Sequence, residues 1–197
     1  MLRFVNARND KKKLKEIKEL YDTAFPKEER MPFWLLRKNG RKSIADLMGV
    51  YDNEEFVGMI HLVYYEDIVY LFFLAVSPEA RGQGYGSRII QALHRRFPSR
   101  RIILNIEQVV EGCDSYEERR KRKEFYLRNG LKEAGYLTKE FDVVYEMLYL
   151  GETVSFDEYW AMMSRYFGKI AAKVMKKWFT YHGECEKLPE SGNTKVL

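Results

Sequence analysis

The stretch Tyr70-Leu71-Phe72-Phe73-Leu74-Ala75-Val76-Ser77-Pro78-Glu79-Ala80-Arg81-Gly82-Gln83-Gly84-Tyr85-Gly86-Ser87 decides how the rest of the chain is read. Its first seven residues are apolar, Ser77-Pro78 ends them, and glycine stands at 82, 84 and 86. Ile89, Ile90, Leu93 and Phe97 then fall on one helical face. A buried strand therefore enters a glycine turn that opens a helix. The first turn of a helix carries backbone N–H groups without intrahelical partners and a partial positive charge, and glycine lets an anion come close to that backbone. The competing reading is a tight turn that uses glycine only for positive φ.

Upstream, residues 44–51, 55–65 and 68–76 read as three consecutive strands joined by the short turns Asp52-Asn53 and Glu66-Asp67, hence antiparallel. Residues 55–65 are apolar on both faces, as a central strand covered on both sides must be. Before them lie a short strand over 2–5, a helix carrying Leu14, Ile17, Leu20, Tyr21 and Ala24 that Pro26 stops, and a short helix over 31–37. Downstream, 102–106 is a strand. Ser115 and Glu118 fit a capping box opening a helix that ends at Asn129-Gly130, and 131–137 and 141–150 close the series as strands. Beyond Gly151 come two further helical patterns, Phe156/Tyr159/Trp160/Met163/Phe167 and Ile170/Val174/Trp178. The expected organisation is a mixed α/β domain over residues 1–150 and a helical extension over 151–197 that packs on the domain or, in a homodimer, on a second subunit.

Composition excludes several classes. The 197 residues carry 34 Lys+Arg against 29 Asp+Glu, a net charge of +5, and 46% are apolar, which fits a globular chain and not a disordered or collagenous one. Cys113 and Cys185 stand far apart, and His61, His94 and His182 share no ligand spacing, so neither a disulfide framework nor a metal site is expected. The N-terminus turns charged at Asp10-Lys11-Lys12-Lys13 and lacks the apolar core of a signal peptide, which makes a cytoplasmic setting the default. The longest apolar run, 68–76, is about half of what a membrane span needs. A Walker loop is excluded because no lysine occurs from Leu71 to Ser99. A Rossmann fingerprint fits poorly: Gly82-x-Gly84 is followed by Ser87 in place of the third glycine, although Glu107 could imitate its ribose-binding acid.

Arg81-x-x-Gly84-x-Gly86, after a strand ending Val76-Ser77-Pro78, resembles the Gln/Arg-x-x-Gly-x-Gly/Ala turn of the GNAT superfamily of acyl-CoA-dependent N-acyltransferases. Phe125-Tyr126-Leu127-Arg128-Asn129-Gly130-Leu131 is similar to that family's Phe-Tyr-x-x-x-Gly-Phe helix ending, with Leu131 in place of Phe. The order of elements over 1–150 also matches. The resemblance implies a central mixed, mostly antiparallel sheet flanked by helices, and an N-acetyltransferase that moves an acetyl group from acetyl-CoA to a primary amine by direct attack. A non-catalytic acyl-CoA sensor of the same fold is the alternative.

The resemblance also assigns residues. The amides of Arg81, Gly82, Gln83, Gly84, Tyr85, Gly86 and Ser87 would cradle the CoA pyrophosphate. The backbone of Leu74, Ala75 and Val76 would pair with the pantetheine arm where strands four and five part. Tyr126 would protonate the departing thiolate, and a phenol titrating near about 10 suits that task. An amine nucleophile must lose a proton, for which Glu107 at the end of strand five is the first candidate base, with Asn105 on the same strand positioned to orient a water or the pantetheine amide. The acceptor would lie near Phe25–Trp34, with Glu29 facing an amine and Arg30 a carboxylate, and with Tyr136 and Tyr145 lining the cleft. The run Glu118–Lys123 reads first as a solvated face; Arg119, Arg122 and Lys123 share Tyr126's face and could reach a CoA phosphate, and a nucleic-acid partner is the least favoured reading. The lysines at 169, 173, 176 and 177 make the last helix basic and amphipathic, a pattern also used at membrane surfaces, though packing is the favoured reading.

Overall fold

The computed structural model describes residues 2–40, 42–113 and 115–184; Cys185 and the end of the extension lie outside them. Eight strands form one sheet: β1 (Leu2–Asn6), β2 (Ala45–Asp52), β3 (Glu55–Tyr65), β4 (Ile68–Val76), β5 (Arg101–Glu107), β6 (Lys132–Glu140), β7 (Val143–Leu150) and β8 (Phe179–Glu184). Among the described residues six α-helices accompany them: α1 (Lys11–Ala24), α2 (Phe33–Asn39), α3 (Tyr85–Arg96), α4 (Tyr116–Arg128), α5 (Phe156–Phe167) and α6 (Lys169–Met175). The strand order is β1-β2-β3-β4-β5-β7-β6-β8, antiparallel throughout except between β4 and β5.

Alternation along the strands sorts the core into two layers. Ile102, Leu104 and Ile106 of β5 face α3 and α4, where they meet Ile89, Ile90 and Leu93. On the other face α1 and α2 cover Leu47, Met59 and Phe73, while α5 covers Val63, Tyr70, Ile103 and Met147. The double-sided apolar character of β3 follows from this arrangement, since residues 57–63 are buried from both sides.

Three local readings are corrected. Ser115 does stand before α4, but with φ −99° and ψ 14° its backbone is not extended and its side chain caps nothing. The reciprocal box forms instead at Ser155, whose extended backbone (ψ 159°) aims its hydroxyl at the Glu158 amide while Glu158 returns a bond. The extension is not wholly helical, because a turn over Lys176–Trp178 leads into β8, which pairs with the β6 edge and buries Phe179. Nor do Ile170 and Val174 pack on the domain, whereas Trp178 stacks its ring on Phe141. The three are 87%, 57% and 38% exposed, because α6 ends at Met175 and it is Ala172 that turns to the core.

Candidate active site

The cleft begins where two strands part. β4 and β5 pair only at Ile68/Arg101, Val69/Ile102 and Tyr70/Ile103. Beyond that point β4 stays held by β3 as far as Val76, and β5 by β7 as far as Glu107. The inner edge of β4 over Leu74–Val76 therefore faces a gap instead of a partner strand. A cleft of about 700 Å³ opens there, lined by Leu74, Ala75 and Val76 on one side and by Leu104, Asn105, Ile106 and Glu107 on the other.

The glycine turn closes one end of this cleft. Gly82 and Gly84 have φ of +76° and +77°, a region that side chains disfavour, and a Cβ at either would meet nothing within 4 Å. Gly84 serves as the N-cap of α3, so the amides at the start of that helix have no carbonyl one turn earlier to bond. Gly86 is glycine for another reason: a Cβ there would sit 2.9 Å from Cζ of Phe125 on α4. Tyr85 and Arg88 anchor the helix start by donating to Asp52 at 3.1 and 2.9 Å. Arg81 reaches back to the Val76 carbonyl at 3.4 Å, and Gln83 donates to the Glu79 carbonyl at 2.8 Å. This open, donor-rich turn beside an unpaired strand edge fits the pyrophosphate and amide-bearing arm of CoA.

Tyr126, half-buried on α4, lines the same cleft with its ring edge-on to Phe125 at 5.0 Å. Burial pushes its phenol up to about 12, eased by the nearby Arg122, so the hydroxyl holds its proton at neutral pH. Glu107 also lines the cleft, and its two carboxylate oxygens are engaged by Arg119 at 2.7 Å and Arg122 at 3.0 Å. Lys121 and Arg122 of α4 stay exposed to solvent, while Arg119 and Arg122 are paired with this strand carboxylate. Lys123 is likewise buried between Glu146 (2.5 Å) and Glu133 (2.9 Å). Burial disfavours that ammonium, yet the two carboxylates outweigh it and hold its pKa above the ordinary lysine value.

The opposite end of the cleft carries charged and aromatic side chains. Glu29 and Arg30 both line it, but Arg30 donates to the backbone oxygen and carboxylate of Asp22 at 3.1 and 3.3 Å. Tyr145 lines it too, its phenol pushed up by burial and then by the carboxylates of Glu140, Glu29 and Glu107. Tyr136 does not join it: its hydroxyl donates to the Val154 carbonyl at 2.6 Å and its ring stacks on Tyr181.

One lining residue escaped the sequence reading. Glu140 accepts from Asn105 Nδ2 and from the Tyr159 hydroxyl, both at 2.5 Å on Oε1. Burial pushes its carboxyl up to about 7 against the pull of those donors. In sequence β6 reads as ending at Leu137, whereas the strand continues to Glu140; Thr138-Lys139-Glu140 carries no pattern that distinguishes it from a polar turn.

Comparison with known proteins follows the same lines. The sequence profile described as the acetyltransferase (GNAT) family matches residues 14–130. Among solved structures, a protein described as an acetyltransferase of that family from Bacteroides thetaiotaomicron superposes with a TM-score of 0.70 at 23% identity, covering 87% of this chain and 98% of that one. An aminoglycoside 6'-N-acetyltransferase complexed with coenzyme A gives 0.60 at 19% identity, over 78% and 99% of the two chains. A spermidine N-acetyltransferase from Vibrio cholerae, in complex with CoA and spermine, gives 0.55 at 18%, over 76% and 94%. No curated protein sequence matches.

Proposed function

Because the chain belongs to the acetyltransferase (GNAT) family, we propose that it transfers an acetyl group from acetyl-CoA to a primary amine by direct attack, both substrates being held together in the cleft between β4 and β5. The observation that carries this reading is the meeting of three features in one cavity: a donor-rich glycine turn, the unpaired edge of β4 and a protonated tyrosine. Bound acetyl-CoA supplies the activated acyl group.

The chain's own residues supply the rest. Amides over Gly82–Ser87 bind the pyrophosphate, those at the start of α3 adding the positive end of the helix, whereas the Arg81 amide is spent on the Pro78 carbonyl at 3.3 Å and leaves that residue only its side chain. Backbone groups of Leu74, Ala75 and Val76 orient the pantetheine arm as an added strand. Tyr126 delivers its hydroxyl proton to the leaving sulfur, a task that its raised pKa permits since the group is protonated when the thiolate forms. Asn105 acts on the acceptor side, through the contact with Glu140. Glu107, neutralised by Arg119 and Arg122, fixes α4 against β5 and so sets the position of Tyr126 one turn further along. Glu29 offers a carboxylate to a cationic acceptor at the mouth, while Arg30 holds that mouth in shape through Asp22. Residues 1–150 carry the CoA site on this reading, and residues 151–197 complete the acceptor side through α5 and β8, which contribute Phe167 and Phe179 to the lining.

The test is a calorimetric titration with CoA, followed by thiol release from acetyl-CoA in the presence of spermidine, kanamycin and 2-phenylethylamine. Binding near the 100 μM scale or tighter, about 5 kcal/mol or more, with thiol release on at least one amine is the expected result. CoA binding without turnover of any amine favours the acyl-CoA sensor, and absence of CoA binding removes both readings.

A further inference from the structure

We infer that Glu140 is the proton acceptor for the amine, and that Tyr159, contributed by the segment beyond residue 150, is the positioning residue that holds it in place. This rests on the acetyl-transfer reading above and identifies the group which that reading left without a residue.

Four observations converge on it. Glu140 ends β6 and lines the same cleft as Tyr126, with part of its surface accessible. Asn105 and Tyr159 both donate to Oε1, and the Thr138 side chain beside them also favours the anion. No lysine, arginine or histidine pairs with it among the described residues, in contrast to Glu107, which two guanidiniums neutralise. Finally, the Asn105 carbonyl oxygen is buried without a partner. Asn105 thus presents its amide to Glu140 and fixes the orientation of that carboxyl.

The groups packed around Glu140 explain how its proton affinity is set. Tyr70 of β4, Tyr145 of β7 and Tyr159 of α5 face it, all with phenols pushed above their ordinary value and hence neutral, and Glu29 and Glu107 act on the same cleft. Burial disfavours the carboxylate and moves its titration to about 7, where a base can both accept a proton and release it to water.

The step balances without a further reactant. The ammonium gives one proton to the Glu140 carboxylate and becomes a neutral amine. Its nitrogen then bonds to the thioester carbonyl carbon while the carbon–sulfur bond breaks. The sulfur takes the Tyr126 proton, the nitrogen's remaining excess proton restores the phenol through solvent, and Glu140 releases its proton to water.

The test uses the full chain in three measurements. CoA titration of wild type and Glu140→Gln should give the same affinity; loss in both overturns the acetyl-transfer reading itself, and loss in the variant alone overturns the separation of the base from the CoA site. Carboxyl-carbon NMR on protein labelled at glutamate should show one resonance with a midpoint near 7 that vanishes in Glu140→Gln and moves upward in Tyr159→Phe, since the phenol's hydrogen bond favours the anion. A midpoint below 5 sinks the assignment whether or not any tested amine is accepted. With whichever of spermidine, kanamycin or 2-phenylethylamine the wild type acetylates, kcat of Glu140→Gln should fall about 10²-fold and lose its acid limb. A kcat within threefold of wild type overturns the proposal.

Discussion

Alanine at Gly86 provides a direct test of how the glycine turn is coupled to the proposed acid. Gly86 lies in the first turn of α3, where alanine gains roughly 0.5–1 kcal/mol of helix preference over glycine. Against this, the new Cβ would stand 2.9 Å from Cζ and 3.2 Å from Cε2 of Phe125. Pressing a methyl into such a contact typically costs about 1–3 kcal/mol. The clash should win, leaving Gly86→Ala about 1 kcal/mol less stable, which for a chain of this length lowers Tm by about 2–4 °C. Phe125→Leu removes the ring tip and by itself loses about 1 kcal/mol of apolar burial. In the double variant the clash is gone and the helix preference is released, so the two costs should not add; the expected coupling is about 1–2 kcal/mol in favour of the pair. Urea unfolding of all four proteins measures it. Because the Phe125 ring packs edge-on to Tyr126, kcat should fall in Gly86→Ala more than CoA affinity does, and should partly recover in the double variant. Costs that add within about 0.5 kcal/mol would refute the steric account of Gly86.

Other outcomes follow from the same geometry. Gly84→Asn should be milder than Gly84→Ala in unfolding experiments, because the demand there is a φ of +77° and not space, and asparagine tolerates that region; equal losses would point to a different constraint. Tyr126→Phe should lower kcat about 10²-fold and leave acetyl-CoA affinity in place, measured by thiol release and calorimetry. Glu146→Ala should cost about 3 kcal/mol by chemical denaturation, since it strands the buried Lys123 ammonium with Glu133 alone. Glu140 titrates higher in the fold, about 7, than its ordinary 4.5, so the native state binds the extra proton between those values. Stability should therefore fall as pH rises through that window, by on the order of 3 kcal/mol, and Glu140→Gln should flatten the slope and be the more stable protein at pH 8.

Features whose signals are local are legible along the chain before it folds. The strand–glycine–helix run from Tyr70 onward is legible because an apolar strand, a positive-φ turn and a helix start each leave a mark within a few residues. The extents of β3 and β4 agree with their apolar runs to the residue, since turn chemistry at Asn53 and Glu66 brackets them with left-handed backbone. Alternation puts Asn105 on the strand face of Glu107, and both residues line the cleft together with Glu29 and Tyr126. Which charges meet depends on packing between elements distant in sequence. The arginines of α4 read as a basic surface, yet Glu107 lies on a strand and Glu146 on another, and only the packing of α4 against the sheet turns those cations into neutralised pairs. Glu140 is the sharper case. Its partner Asn105 is 35 residues away along the chain and Tyr159 is 19 residues away in the extension, and neither separation follows a helical or strand period. A carboxyl's proton affinity depends on what surrounds it in space, and that environment forms only when α5 closes over the sheet.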